Sequence, residues 1–372
     1  MNKLNKYAFS DLYDIASGIS TTKTQAGHGT PFVSFSTVFN NIFLPDELPD
    51  LMDTNEQEQE TYSIRKGDIL ITRTSETADE LAMSCVALKD YPGATYSGFV
   101  KRLRPKTIGV AYDKFMAFFL RSKYFRKVIN NNTIMTLRAS FNEDMFSFLT
   151  LYLPDYDVQV AVGDLLYNIE CKIQNNKRIN DNLAQQAQLL FDFMFQNISG
   201  SKHIGDFIAP QRGTALLSKD AIPGDVPVVA GGLEPATYHN AANTAAPVIT
   251  ISSSGANAGF VNLWGVPVWS SDSSFIDFKM TPYVYFWYAL LKRHQNNIYK
   301  IQTGSAQPHI YPSHIASLPV CDLNFEKVAD YTEQVTPLFA LIAKNYTESN
   351  QLRALRDWLL PMLMNGQATI SD

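Results

Sequence analysis

The chain has 372 residues, of which 45% are hydrophobic, and a formal net charge of −5, so it is long enough for about two domains with sizeable cores. No apolar run approaches the roughly 18 residues of a membrane span, and the first residues lack a signal peptide's apolar stretch, so we expect a cytoplasmic protein. Cys85, Cys171 and Cys321 are odd in number, lie far apart and have no CxxC spacing, so the sequence suggests neither a disulfide framework nor a zinc site.

Charge is strongly segregated along the chain. Residues 46–60 carry seven carboxylates and no basic residue, whereas residues 65–138 carry fourteen Lys or Arg against six carboxylates, a net charge of +8. The segments 155–199 and 321–372 each have a net charge of −3. The overall acidity therefore does not exclude a basic surface on the first half of the chain.

The elements of the first half follow in a recognisable order. A short apolar segment from Phe9 ends at Gly18, a β-rich run begins at Pro31, and a buried strand covers 67–73. An aromatic helix is predicted over 112–130, and the half closes with the strand 148–154. These patterns predict a mixed α+β lobe.

The second half repeats that order. Its short apolar segment begins at His203, its β-rich run at Pro227 and its buried strand at Pro247. An aromatic helix over 282–297 and a strand over 315–320 complete the repeat. We therefore predict two lobes and two long helices in pseudo-two-fold repeat, with domains at 1–154, 155–198, 199–322 and 323–366 and a tail at 367–372.

Each lobe is followed by a long helical pattern. The first, 158–195, would span ~57 Å at 1.5 Å per residue. Apolar residues at heptad spacing, interrupted by one Asn in each helix, predict that the helices pack together as an antiparallel coiled coil. These positions are Leu166, Ile173, Asn180, Ala187 and Met194 in the first helix, and Tyr331, Leu338, Asn345, Leu352 and Leu359 in the second. Pro337 is predicted to kink the second helix or to delay its start.

This order of lobes and helices resembles the DNA specificity subunits of type I restriction-modification enzymes. The lobe endings Arg138-Ala-Ser-Phe-Asn and Thr303-Gly-Ser-Ala-Gln-Pro carry the likeness, the second being similar to the family's Gly-Ser-x-Gln-Pro signature. The chain departs from the family where members often have Pro-x-x-Glu-Gln before each helix, since it has Asp155-Tyr-Asp-Val-Gln159 and Asn324-Phe-Glu-Lys-Val328.

The resemblance implies that each lobe is a target recognition domain that reads one half of a split, asymmetric sequence in double-stranded DNA. It implies that the paired helices hold the lobes apart and dock two copies of a methyltransferase subunit, which motor-nuclease subunits join in a restriction complex. Helices of ~57 Å suit half-sites about one DNA turn apart, ~34 Å. S-adenosylmethionine, ATP and Mg²⁺ are then expected on partner subunits, with no cofactor in this chain.

Sequence motifs for catalysis are absent. The chain has neither the Asp/Asn-Pro-Pro-Phe/Tyr tetrad of adenine methyltransferases nor a GxxxxGK[ST] phosphate loop. Gly255-Ala-Asn-Ala-Gly259 is interpreted as a tight turn, and His309 and His314 have no carboxylate or Cys at metal-ligand spacing. We therefore predict a non-catalytic protein without a metal site.

DNA contacts require cations for phosphates and polar side chains for base edges. First-lobe candidates are Thr72, Arg73, Thr74, Ser75, Lys101, Arg102, Arg104, Arg121, Lys123, Arg126, Lys127, Arg138 and Ser140. The second lobe has seven basic and six acidic residues between 200 and 320, so its candidates are mostly neutral. They are Ser252, Ser253, Ser254, Asn257, Gln302, Thr303, Ser305, Gln307 and His309.

Two alternatives remain open at the level of sequence. The first is the same scaffold in an assembly that only methylates. The second is a pseudosymmetric assembly protein whose lobes bind protein or carbohydrate, for which the aromatic second lobe is the supporting feature; its rings include Trp264, Trp269, Trp287, Tyr283, Tyr285 and Tyr288. Such a density of aromatic residues is more often core than ligand platform.

Overall fold

Eleven short strands build the first lobe in the computed structural model, which describes residues 4–77, 80–132, 139–196, 200–304 and 307–364. These strands are β1 Asn5–Ala8, β2 Tyr13–Ser17, β3 Ala26–Val33, β4 Asp50–Met52, β5 Ile69–Thr72, β6 Thr74–Ser75, β7 Ser84–Val86, β8 Thr95–Tyr96, β9 Val100–Pro105, β10 Ala139–Ser140 and β11 Thr150–Leu153. The helices are α1 Phe9–Leu12, α2 Phe35–Asn40, α3 Glu56–Thr61, α4 Asp113–Phe119, α5 Lys123–Asn132 and α6 Glu143–Phe148.

The central sheet of the first lobe has the order β2-β9-β5-β7, and every neighbouring pair is antiparallel. A second sheet has the order β4-β3-β8, in which β3 and β8 are parallel. Aromatic residues of α4 and α5 fill the core beside the central sheet, with Phe115, Phe119 and Phe125 almost fully buried. Strand β5 is buried along its whole length, as expected for a strand covered on both faces.

The second lobe has nine strands and three α-helices among its described residues. The strands are β12 Lys202–His203, β13 Gln211–Arg212, β14 Val226–Val229, β15 Thr237–His239, β16 Val248–Ser252, β17 Val261–Trp264, β18 Trp269–Ser270, β19 Ser273–Asp277 and β20 Pro319–Val320. The helices are α8 Val284–Arg293, α9 Gln295–Lys300 and α10 Pro312–Ala316.

The two lobes share one strand topology, which confirms the predicted repeat. The sheet β13-β19-β16-β17 corresponds to β2-β9-β5-β7, and β15-β14-β18 corresponds to β4-β3-β8. In both three-stranded sheets one pair is antiparallel and the other parallel. The closing pairs also correspond, since β1 pairs with β11 and β12 with β20.

The aromatic helix predicted in each lobe is divided into two shorter helices. In the first lobe the division lies at Ser122, whose hydroxyl donates to the Phe119 carbonyl and accepts the Phe125 N–H. This hydroxyl therefore ends α4 and caps α5, a role that the sequence periodicity does not reveal. In the second lobe the division lies at His294, between α8 and α9.

Two long helices, α7 Tyr156–Met194 and α11 Phe325–Met364, follow the lobes. The chain forms two compact units: one from residues up to Ile173 together with those from Gln351 onwards, and one from Gln174–Asn350. Each unit contains one lobe and a stretch of both helices. Pro337 lies well inside α11, so the predicted later start of that helix was wrong.

Within the second unit the helices run antiparallel, and polar residues mark their seam. Asn345 donates its side-chain amide to the Asn180 side-chain carbonyl at 2.9 Å. The Asn176 amide donates to the Glu348 carboxylate at 2.8 Å and to the Ser349 hydroxyl at 3.2 Å. The predicted pairing of the two helices is thus confirmed, and buried amides fix their register.

The stretches of α7 and α11 in the first unit also pack against each other. Leu363 joins Val162 and Leu166 in the hydrophobic core. Beside this core, the Arg356 guanidinium donates to the Glu170 carboxylate at 2.7 Å, with both side chains largely buried. Within the described residues, no helix is long and apolar enough to cross a membrane.

Candidate nucleic-acid interface

In the first lobe, several predicted contact residues meet at the end of strand β5. Thr74 pairs with Ser140 where β6 meets β10, and Arg73 precedes this pair. The Arg73 N–H donates to the Phe99 carbonyl, and its own carbonyl accepts the Phe141 N–H, both at 2.8 Å. We call Arg73, Thr74, Phe99 and Ser140 the first strand-end cluster.

Polar and apolar groups stand side by side on this cluster. The Arg73 and Ser140 side chains are exposed, and Phe99 is 63% exposed. Arg73 forms no ion pair within the described part of the chain, so its guanidinium is available to an anion. The neighbouring Thr72 and Ser75 are buried, and the Thr72 hydroxyl accepts the Met83 N–H at 2.9 Å.

Most other cations of the basic stretch are engaged inside the first lobe. The Arg121 guanidinium donates to the carbonyls of Val38, Phe39, Asn41 and Ser84. Its burial lowers the pKa of this guanidinium. Arg121 therefore ties α4 to the loops around α2 and β7, and we do not include it in the proposed contact surface.

Arg102, Arg104 and Arg126 likewise serve the fold. Arg104 makes a bidentate pair with the buried Asp68, and the hydrogen bond to this carboxylate raises the pKa of Arg104. Both Arg102 and Arg104 donate to the Ser63 carbonyl. The Arg126 guanidinium donates to the carbonyls of Leu81 and Ala82, in the turn before β7. We leave these three residues out of the proposed surface as well.

Lys101, Lys123 and Lys127 complete the described first-lobe candidates. Lys101 is only 5% exposed, and its ammonium group lies 3.2 Å from the Glu143 carboxylate. Lys123 and Lys127 lie one helical turn apart on α5 and are exposed, which places them on one face. Neither of them has an ion-pair partner within the described ranges, so they are the better candidates for phosphate contacts.

In the second lobe, the end of β16 occupies the place of the end of β5. Ser254 bridges to His309 as Thr74 does to Ser140, and the Ser253 N–H donates to the Asp272 carbonyl at 3.1 Å. The Ser254 hydroxyl donates to the Asp272 carboxylate, which also pairs with Arg212 at 2.8 Å. We call Arg212, Ser253, Ser254, Asp272 and His309 the second strand-end cluster.

The remaining second-lobe candidates differ in accessibility. Ser252 and Ser253 are buried, and Ser252 donates to the Gly231 carbonyl. Gln302 donates its amide to the Ala258 carbonyl at 2.7 Å. Thr303 and Gln307 are exposed, and Ser254, Asn257, Gln302 and His309 are partly exposed.

Two predicted residues, Arg138 and Ser305, lie outside the described residues. Three residues of the clusters were not predicted from the sequence, namely Phe99, Arg212 and Asp272. Phe99 is apolar and Asp272 carries the charge that phosphate repels, so neither matches the cations and neutral polar groups that predict DNA contacts.

The aromatic residues of the second lobe belong mainly to its core. Trp287 and Trp264 are buried, and the Trp264 indole N–H donates to the Thr250 hydroxyl at 2.8 Å. Trp269 is partly exposed and donates to the Thr214 carbonyl. In the described part of the chain, no group of three or more His, Cys, Asp or Glu residues could hold a metal ion.

Known proteins resemble this chain in sequence and fold. A family model described as the type I restriction modification DNA specificity domain matches residues 1–185. The specificity subunit of the type I restriction enzyme HindI of Haemophilus influenzae is 25% identical over 225 residues, which cover 58% of this chain and 47% of that protein. The match thus spans about half the length of this relative.

A solved structure shares the fold along the whole chain. It is the S subunit of a type I restriction-modification system from M. genitalium, with a TM-score of 0.60 and 16% sequence identity. The superposition covers 100% of this chain and 97% of that one. At this identity the likeness concerns the fold, including the two lobes and two long helices.

Proposed function

Because the chain belongs to the type I restriction-modification DNA specificity family, we propose that it reads a split, asymmetric DNA target and directs methylation to it. One observation carries this proposal above the others. Two lobes of the same strand topology present different side chains at equivalent strand ends. A repeated scaffold with unlike contact residues suits a target with two unlike halves.

The two strand-end clusters differ in charge and in the chemical groups that they present. The first combines an exposed guanidinium, two hydroxyl groups and an exposed phenyl ring, from Arg73, Thr74, Ser140 and Phe99. The second combines an imidazole, a hydroxyl and a carboxylate paired with a guanidinium. Hydrogen-bonding and apolar side chains at groove edges are what direct base readout requires. A palindromic target would instead require like clusters.

The phosphate contacts of the first lobe are assigned to Arg73, Lys123 and Lys127. These cations are exposed, and they form no ion pairs within the described residues. Phosphate contacts supply affinity and salt dependence without sequence information. Among the residues that the structure describes, the second lobe has fewer exposed cations without an ion pair than the first, so its share of the affinity should depend less on salt.

The long helices would dock the methyltransferase subunits. Large apolar side chains stay exposed on both helices: Ile179, Leu189 and Phe193 on α7, and Leu341, Leu355 and Trp358 on α11. Exposed apolar residues at such density are typical of protein interaction surfaces. We assign two methyltransferase copies to the repeated scaffold, together with motor-nuclease subunits in the restriction complex. S-adenosylmethionine, ATP and Mg²⁺ would bind those partners, and this chain would be non-catalytic and cytoplasmic.

Selection from a randomised duplex library tests the recognition step. The full-length chain is incubated with the library at low salt, and bound duplexes are sequenced. We expect two short specified segments separated by an unspecified spacer, the two segments being different. A Lys123→Gln variant serves as the control for phosphate contacts, because it should lower affinity for every sequence and leave the motif unchanged. Enrichment of no sequence would refute the proposal and favour the assembly protein.

A further inference from the structure

The residue just before strand β9 in the first lobe and the residue just before β19 in the second occupy equivalent backbone positions. The first is Phe99, whose carbonyl accepts the Arg73 N–H at 2.8 Å. The second is Asp272, whose carbonyl accepts the Ser253 N–H at 3.1 Å. Arg73 and Ser253 are themselves equivalent, because each directly follows a central strand, β5 or β16.

The backbone around this position is held alike in both lobes. Gly18 donates to the Val100 carbonyl at 3.2 Å, and Gly213 donates to the Ser273 carbonyl at 2.8 Å. A Cβ atom on Gly18 would lie 2.1 Å from the carbonyl oxygen of Ser97, and one on Gly213 would lie 2.4 Å from a backbone oxygen. Only glycine permits this close approach, so the two lobes share the same backbone arrangement at this position.

The side chains at this equivalent backbone position differ in polarity: one is apolar and the other is charged. Phe99 is 63% exposed and offers only an apolar ring. Asp272 has a side chain that is 36% exposed, and its carboxylate is held by Arg212 at 2.8 Å and by the Ser254 hydroxyl. An apolar ring has no hydrogen-bond donor or charge to offer a phosphate, and a carboxylate repels one. Neither side chain therefore suits a phosphate contact.

We propose that this equivalent position sets the base preference of each lobe, with Phe99 contacting a thymine methyl group and Asp272 accepting a cytosine amino group. The inference rests on the proposed DNA-reading function. Apolar side chains contact the thymine methyl in the major groove, and carboxylates accept from the cytosine N4 amino group. Arg212 beside Asp272 would donate to O6 and N7 of the paired guanine, so the Arg212–Asp272 pair would read one G·C base pair.

The test is sequence selection by full-length variants. Asp272→Asn keeps the size of the side chain and one acceptor oxygen, and we expect it to lower the preference for cytosine at one position of one half-site about tenfold. Phe99→Ala should lower the preference for thymine at one position of the other half-site. Phe99→Asp should shift that same position towards cytosine, which a merely structural role would not produce.

Matched controls separate local recognition from general charge or stability effects. Asp225→Asn makes the same charge change at an exposed carboxylate of the second lobe, and Ile108→Ala removes an exposed apolar group from the first. Both should leave the motif unchanged. Phe99 is exposed, so its variants are expected to stay folded and keep the inference testable if Asp272→Asn unfolds.

The outcomes distinguish this inference from the function on which it rests. A split motif for the natural chain, with a change confined to one base pair in each variant, supports both. A split motif that stays the same in Asp272→Asn, Phe99→Ala and Phe99→Asp overturns the inference and leaves the function standing. An equal loss of affinity for all sequences also overturns it. Failure of the natural chain to select any sequence removes the function and the inference together.

Discussion

Replacing Arg121 by alanine should destabilise the first lobe strongly. Its guanidinium donates to four backbone carbonyls, at 2.6 Å to Ser84, 2.7 Å to Val38, 3.0 Å to Phe39 and 2.8 Å to Asn41. A hydrogen bond to a charged group contributes about 1.5–3 kcal/mol, and losses within one group are not additive. We expect a loss of about 3–5 kcal/mol, because four backbone carbonyls lose a charged donor and their separate contributions add only in part.

Hydrogen exchange followed by mass spectrometry is the suitable assay, because it reports each lobe separately. Peptides that contain β5 and β7 should lose protection in Arg121→Ala, while second-lobe peptides should keep theirs. Arg121→Lys should lose most of the same protection, since a lysine keeps the charge and lacks the planar fork of donors.

Lys123→Ala is the matched control for this prediction. Lys123 lies two residues away, is exposed and should change stability by no more than about 0.5 kcal/mol. If Arg121→Ala changed first-lobe exchange by less than about 1 kcal/mol, the structural assignment of Arg121 would be refuted. Arg121 would then again be a candidate for a phosphate contact.

Three further predictions concern affinity, the helix seam and pH. Lys127→Gln should reduce the slope of log affinity against log salt by about one, measured by titration, and an unchanged slope would exclude a phosphate contact. Asn345→Ala should cost about 1–2 kcal/mol in urea unfolding because it leaves the Asn180 carbonyl unpaired; an unaltered midpoint would contradict that role. The hydrogen bond from Lys114 lowers the pKa of Asp164. Stability from this pair is therefore present above the ordinary carboxyl pKa and lost as pH falls through the lowered one. Asp164→Asn should flatten the acid limb of a stability–pH profile, and an identical profile would disprove the coupling.

The repeat and the paired helices could be predicted because the spacing of their apolar residues is visible in the sequence. Pro31 and Pro227 hold equivalent positions inside β3 and β14, since the residues that follow them, Phe32 and Val228, occupy equivalent positions in the parallel pairs. The heptad prediction placed Asn180 and Asn345 in the seam, where their side chains are hydrogen-bonded. Burial patterns of this kind depend on local spacing alone.

Side-chain engagement could not be predicted in the same way. The charge pattern predicts Arg104 and Arg121 as DNA contacts, yet their donors face a buried carboxylate and backbone carbonyls of distant segments. Such partners become neighbours only through tertiary folding. The equivalence of Phe99 and Asp272 was also hidden, because the turn before β19 is one residue shorter than the turn before β9.

Mapping methylated adenines across a genome tests the central claim most directly. The chain would be co-expressed with a methyltransferase subunit from the same genome, in a host that lacks adenine methylation. We predict methylation at one split, non-palindromic motif that depends on this chain. Methylation that forms without the chain, or at a palindromic motif, would contradict the account.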